Sequence, residues 1–294
     1  MKNNNQMSQN HVNILGIHVL STTIPQLLTS LREKMAHNIK FSIVTPNPEL
    51  VLASTKNPEL KIALNSATFS VPDAIGLSQA TKYQSLNAPS NIFLRFPVTL
   101  FQGLVVGSAT FFNRDWLTKE LKPIKGRVLF EKLIELANKK EWKVFFLGGI
   151  GDEAEKAAEK LRKNYKMVKI GTFKGPKLDV DGEPKSESDK NLQKEAFSLI
   201  NKFSPKLLFV AFGNPKQEIW IHKNLKYLDV GGAMAVGGTL RYVAGISKLP
   251  PKWMAKAGLE WVWRLITEPY RLGRIFNAFP IFPLRIFWFK VTDR

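Results

Sequence analysis

Apolar residues at Ile24, Leu27, Leu28, Leu31 and Met35 recur every three to four positions, the spacing that lays one stripe along a helix, and Thr23 stands where its N-cap belongs. The period then shortens. Phe41–Thr45 is a compact run of β-formers closed by Pro46-Asn47-Pro48, which predicts a strand and a turn. Helical patterns over Glu49–Ser54 and Pro58–Ala67 follow, separated by Lys56-Asn57. Phe69-Ser70-Val71 predicts a strand ending at Pro72-Asp73, before a short apolar helix. Further on, a helix is predicted over Arg127–Lys140, a strand over Trp142–Leu147 and a glycine loop over Gly148–Gly151. Asp152–Asn164 predicts a helix with acids early and bases late, which suits its dipole. A strand at Met167–Gly171, a polar loop over Lys174–Ser188 and a helix to about Phe203 come next. The run Leu207–Phe212 predicts a buried strand, Gly213-Asn214-Pro215 a tight turn and the following residues a helix, with a last strand near Val230–Val236. Strands alternating with helices indicate a doubly wound α/β fold, mostly parallel, with right-handed crossovers placing helices on both faces.

Two segments stand outside this alternation. Phe96–Asn113 is eighteen residues without a charge, interrupted by Pro97, Gly103 and Gly107. That length is at the lower limit of a membrane span, and a span, a re-entrant or interfacial hairpin and a buried helix all stay open. Ile275–Phe289 is aromatic-rich but broken by Pro280 and Pro283, which argues against a straight spanning helix and for an interfacial segment.

Composition narrows the chemistry. No cysteine is present, which removes disulfides, thiolate metal sites and cysteine nucleophiles. His11, His18, His37 and His222 are scattered without helical ligand spacing, so no metal site is expected. Asp179-Val180-Asp181 is an acid-x-acid pair of the kind that clamps metals in some sugar-nucleotide enzymes, but such short pairs are common in polar loops. Met1–Asn10 is polar and lacks the apolar core of a signal peptide, which points to a cytoplasmic body. The net charge of +19 calls for an anionic partner. From Arg241 to Arg294 there are ten Lys/Arg against three Asp/Glu, interleaved with Trp253, Trp261, Trp263, Phe276, Phe279, Phe287 and Trp288. That mixture suits an anionic bilayer surface better than nucleic acid, and no nucleic-acid motif accompanies it.

Polar residues cluster after three strands: Thr45 to Glu49, Asp73, and Asn214 to Glu218. In a parallel sheet these positions converge on one edge, beyond the strand ends, where ligands bind. Asp73 also reads as a simple helix cap, and Lys216-Gln217-Glu218 as a solvated helix start. Gly148-Gly149-Ile150-Gly151 lets backbone amides approach an anion.

Taken in order, Thr45-Pro46-Asn47-Pro48-Glu49, Pro72-Asp73-Ala74-Ile75-Gly76, Val144–Gly149, Gly213 to Glu218, Val236-Gly237-Gly238-Thr239 with Ala244-Gly245, Pro250-Pro251-Lys252-Trp253, Leu259–Leu265 and Glu268-Pro269-Tyr270-Arg271 resemble the WecG/TagA/CpsF family of bacterial glycosyltransferases. The likeness covers nearly the whole chain except Gln79–Gly126. It implies a Rossmann-like domain over about 1–245, with an apolar insertion near 80–126, and a C-terminal membrane-associating appendage over 246–294. It implies an inverting transfer of an N-acetylmannosamine-type sugar from a UDP donor to polyprenyl-diphosphate-linked N-acetylglucosamine, at the cytoplasmic membrane face, with no cofactor. The family's base maps onto Asp73. Thr45, Asn47, Arg127 and Gln217 map into the same pocket, and Gly148, Gly149, Asn214, Glu218 and Gly237 line the same edge. Lys252, Arg264, Arg271 and Arg274 belong to the appendage, for the membrane, the acceptor or a diphosphate. Arg264 and Arg271 share one helical face if Pro269 leaves the helix in register. Homo-oligomerisation stays open.

Four departures from the family pattern are visible. Ala74 stands where the family has glycine. Arg127-Val128-Leu129-Phe130-Glu131-Lys132 replaces an Arg-Val-Thr-Gly-x-Asp run, Arg241 replaces an aspartate, and about thirty residues are inserted before Arg127. The competing reading is a degenerate, non-catalytic membrane-associated scaffold.

Overall fold

The computed structural model describes residues 10–251, 253–254, 260–269 and 272–292. Lys252 and Arg271 lie outside the described residues, as do the side chains of Trp261 and Arg264. The core is a six-stranded, all-parallel sheet in the order β4-β3-β8-β7-β5-β6. Its strands are β3 (Phe41–Val44), β4 (Phe69–Ser70), β5 (Lys143–Gly148), β6 (Lys169–Phe173), β7 (Leu207–Ala211) and β8 (Gly232–Ala235). The doubly wound α/β expectation holds, and strand ends differ from it by one or two residues.

Alternation along the strands separates two layers. Phe146, Leu207, Phe209 and Met234 join one buried cluster, under α1 (Ile24–Ala36), α7 (Gly126–Lys139), α8 (Glu153–Asn164) and α11 (Thr239–Val243). Phe145, Leu147, Leu208, Val210 and Ala235 join the opposite one, under α9 (Glu187–Phe203) and α10 (Lys216–Asn224). The family departures at Leu129 and Phe130 are explained here, since both are fully buried. A third cluster gathers α2 (Pro48–Ser54), α3 (Pro58–Ser66), α4 (Ile75–Ser85), α5 (Ile92–Phe112) and the C-terminal helix Phe282–Thr292.

Thr23 precedes α1 as expected, with its backbone N–H donating to Gln26 Oε1 at 3.0 Å. The N-terminal hairpin has no counterpart in the sequence reading. β1 (His11–Ile14) and β2 (Ile17–Leu20) form an antiparallel hairpin. Leu15 and Gly16 both take positive φ, 51° and 84°, as a two-residue primed turn requires.

The segment 96–113 is neither a hairpin nor a buried helix. It belongs to one continuous helix, α5, in which Gly103 and Gly107 make no turn, and only 17% of its apolar window is buried. The C-terminal segment breaks as its prolines dictate. Phe279 leaves helical geometry (φ −158°, ψ 122°) just before Pro280, and a new helix starts at Phe282. The shared face expected for Arg264 and Arg271 falls on side chains outside the described residues. A helix spans Glu260–Thr267 and another Leu272–Phe276, with the residue before Pro269 non-helical, as proline disfavours helix at that position.

Candidate active site

The carboxyl edge of the sheet carries the turns after β4, β3, β8, β7 and β5, side by side in that order. After β3, Asn47 caps α2, its Oδ1 accepting the Leu50 N–H at 2.9 Å, with Pro48 supplying the first helical residue. After β4, the chain is held from both sides. The Asp73 N–H donates to Pro46 O and the Ile124 N–H to Pro72 O, each at 2.8 Å. Asp73 is half-buried there. It is not the cap of α4. That position falls to Ala74, which has φ +90° and no side-chain cap bond. Glycine suits such a backbone, and alanine strains it.

Close packing draws these turns together. A Cβ on Gly126 would stand 3.2 Å from Thr45 Oγ1, and one on Gly76 2.8 Å from Pro48 Cγ. Glycine lets the first turn of α7 abut Thr45 this closely, and Arg127 follows it in the chain. Arg127 is half-buried, its Nη2 3.8 Å from Glu260 Oε1, and Lys125 pairs with the same carboxylate.

The start of α10 is not solvated. Gln217 and Glu218 are 2% and 1% exposed. Gln217 Oε1 accepts the Gly237 N–H at 3.0 Å, and its Nε2 donates to Asn214 Oδ1 and Glu218 Oε1, both at 2.8 Å. Gln217 therefore brackets the β7 and β8 turns. Glu218 Oε2 is buried without a hydrogen-bond partner among the described residues. Burial pushes its carboxyl up to about 7, against the Gln217 hydrogen bond and the nearby Arg274 charge. A carboxyl near neutrality can hold or release a proton at physiological pH.

Gly148 and Gly149 take φ +97° and +95°, and a Cβ on Gly148 would stand 2.9 Å from the Ala211 backbone. The Gly149 amide donates to Ala211 O at 3.0 Å and the Ile150 amide to Glu153 Oε2 at 3.0 Å. Both amides thus already have acceptors. Asp179 organises its own loop, with Oδ1 accepting the Asp181 and Glu183 N–H groups at 2.9 Å.

Sequence reading missed how the C-terminal segment is stitched to this edge. Arg274 Nε donates to Glu49 Oε1 at 2.7 Å, across 225 residues of sequence. Glu260 holds Lys125 and Arg127. Arg241 meets Glu153 at 3.4 Å and donates to Ser247, whose hydroxyl donates to Glu268 at 2.9 Å. The arginine that replaces a family aspartate is thus built into a structural chain. Charge balance alone gives no sign of such long-range pairs.

The sequence profile of the glycosyl transferase WecG/TagA/CpsF family matches residues 12–95 and 106–294. Between these two stretches only 96–105 falls outside the match, shorter than the insertion expected before Arg127. An N-acetylglucosaminyldiphosphoundecaprenol N-acetyl-beta-D-mannosaminyltransferase of Staphylococcus aureus is 26% identical over 277 residues, 94% of this chain and 91% of the relative. One of the same description from Bacillus spizizenii is 27% identical over 239 residues, 80% of this chain and 74% of the relative. A parallel α/β sheet with its polar turns gathered on one edge, matched over nearly its whole length, makes this chain a member of the WecG/TagA/CpsF family of glycosyltransferases.

Proposed function

We propose that the chain transfers an N-acetylmannosamine-type sugar from a UDP donor to N-acetylglucosaminyl-diphosphoundecaprenol, with inversion to a β linkage. The names of the relatives support the sugar and the acceptor. The observation that supports the reading best is the close approach, at the carboxyl edge, of the turns that bear Thr45, Asp73 and Arg127.

In this reading the Asp73 carboxylate takes the proton of the acceptor hydroxyl as its oxygen attacks the anomeric carbon. The bond from that carbon to the diphosphate oxygen breaks, and UDP leaves with the electron pair. A placed base contributes roughly 10²- to 10⁴-fold. Arg127, with its long 3.8 Å contact to Glu260, offers a planar fork to the departing diphosphate. Arg274, tied to Glu49 at the same edge, acts with it or closes the site, and Lys252, Arg264 and Arg271 serve the same face or the membrane. Thr45, Asn47, Gly148, Gly149, Asn214, Gln217, Glu218 and Gly237 form the donor-side wall. The chain works as a peripheral protein on the cytoplasmic face of the membrane, in the synthesis of a cell-surface polymer.

A donor panel assayed with polyprenyl-diphosphate-linked N-acetylglucosamine tests the reading. Turnover with UDP-N-acetylmannosamine and a β-linked product supports it. Turnover with no donor favours a binding scaffold instead.

A further inference from the structure

Helix α5 wears its faces the wrong way round for water. Its buried positions are Thr99, Val106, Ala109 and Thr110, which are small or polar. Its exposed positions include Phe93, Phe101, Leu104, Phe111 and Phe112, at 85%, 67%, 67%, 66% and 88% exposure. At 100° per residue these large side chains fall on one side along the full length of the helix. The C-terminal helix crosses it there. Phe96 packs edge-on against Phe287 at 5.5 Å, and Leu284 and Trp288 extend the apolar face, both more than half exposed. A soluble monomer rarely exposes an apolar patch of this extent.

The helix is about 31 Å long, enough to cross a bilayer. Its attachments forbid that. Tyr83 Oη donates to Thr99 O at 3.0 Å, Gln102 donates to Asn87 O at 2.7 Å, and Gln79 bonds Thr110 farther along. These pins bind α5 lengthwise to α4 and the residues just after it, and α4 carries the Lys82–Glu120 ion pair at 2.7 Å. A spanning α5 would drag that pair into hydrocarbon.

Beside the crossing lies an open cleft of about 570 Å³. Lys290 and Arg95 line it together with Asn13, Thr81, Gln84 and Asn87, with no acid among the described residues, and Arg95 is held in place by donating to Pro89 O at 3.0 Å and Val291 O at 3.3 Å. Lys290 is 9% exposed and donates to Tyr83 O and Gln102 Oε1, and no carboxylate pairs with it among the described residues. Burial, with Arg95 nearby, pulls its ammonium down to about 8. The whole chain carries +19, which selects an anionic surface.

We propose that α5 and the helix Phe282–Thr292 form a monotopic docking face, with α5 lying in the plane of an anionic leaflet and the Lys290–Arg95 cleft holding the phosphate of a phospholipid headgroup. This face lies partly in 96–105, outside the family match, and it deepens the peripheral-membrane part of the proposed function.

The cysteine-free chain allows a direct test. Phe93→Cys, Leu104→Cys and Phe112→Cys are each labelled with a fluorophore and bound to vesicles whose lipids carry quenchers at graded depths. All three labels reporting the same shallow depth supports the proposal. A deep Leu104 label between two shallow ends shows a span and overturns it. No quenching, with a dimer on sedimentation, means that a second copy covers the face and also overturns it. For the cleft, phosphatidylglycerol vesicles should protect Lys290 of the unmodified protein from acetylation, and phosphatidylcholine vesicles should not. Equal protection by both overturns the headgroup assignment. Lys290→Gln should lower binding to phosphatidylglycerol vesicles toward the neutral level, and unchanged binding by the folded variant overturns it likewise. Depth and protection need no catalysis, so a wild-type chain that turns over no acceptor, even a water-soluble one, counts against the transferase reading alone.

Discussion

Helices α7 and α5 obey opposite rules. α7 buries Leu129, Phe130, Leu133 and Ile134 against the sheet and shows Glu131, Glu135 and Lys139 to water. α5 buries two threonines, a valine and an alanine and shows phenylalanines. One chain built both, so the difference lies in what each outer face meets. α7 meets water, and α5 meets something apolar. Amphipathicity thus identifies the neighbour as well as the helix.

The sharpest way to test this contrast is to separate chemistry from docking. Asp73→Asn should cut turnover by roughly 10²- to 10⁴-fold on a water-soluble acceptor and on a vesicle-borne one alike, with folding and UDP-sugar binding retained. Phe101→Ser with Leu104→Ser should leave the soluble acceptor reaction intact and depress only the vesicle-borne one. Near-normal rates for the Asp73 variant would end its role as base, whereas loss of folding would make it a structural residue.

Stability should divide the helices next. Phe130→Ala should cost about 3–5 kcal/mol, because it empties a fully buried site among Phe146 and Phe209. Phe101→Ser should stay within about 0.5 kcal/mol in urea denaturation without lipid. Equal costs would mean that the outer face of α5 is packed, and the contrast would collapse.

A third measurement moves to the strand edge. The folded value of Glu218, about 7, lies above its ordinary 4.5. The folded chain therefore keeps a proton that the unfolded chain releases. Its contribution is full below pH 4.5 and is lost as pH rises through about 7, a change of roughly 3 kcal/mol. Glu218→Gln should flatten that slope and be the more stable protein at pH 8. An identical slope in both proteins would show that Glu218 ionises freely. A smaller gain should come from Ala74→Gly, which relieves φ +90° and should add roughly 1 kcal/mol in thermal unfolding. Destabilisation would mean that the alanine methyl packs usefully.

Much of this was legible in the sequence. Long apolar runs such as Leu207–Ala211 announced the sheet, and glycine and proline marked its turns, because these signals are local. The β1–β2 hairpin escaped because two four-residue strands carry too little alternation. For α5, hydropathy gave an apolar segment but not its partner, since choosing among span, hairpin and core requires knowing which face α4 takes. The Asp73 position was readable from its place after a strand. Its positive-φ neighbour and the Arg274–Glu49 pair were not, because one is a backbone angle and the other joins residues 225 apart.

A helix lying in the leaflet alters what concentration means for this protein. A chain held on the surface meets a lipid acceptor by lateral diffusion, and the effective concentration is set by how densely the acceptor populates the leaflet. Adding more vesicles of fixed composition would leave acceptor saturation unchanged, while enriching the acceptor among the lipids would raise it. The sugar nucleotide, arriving from water, would still be counted in moles per litre. The two substrates of one reaction would then follow different units, as a direct consequence of the phenylalanines that α5 turns outward.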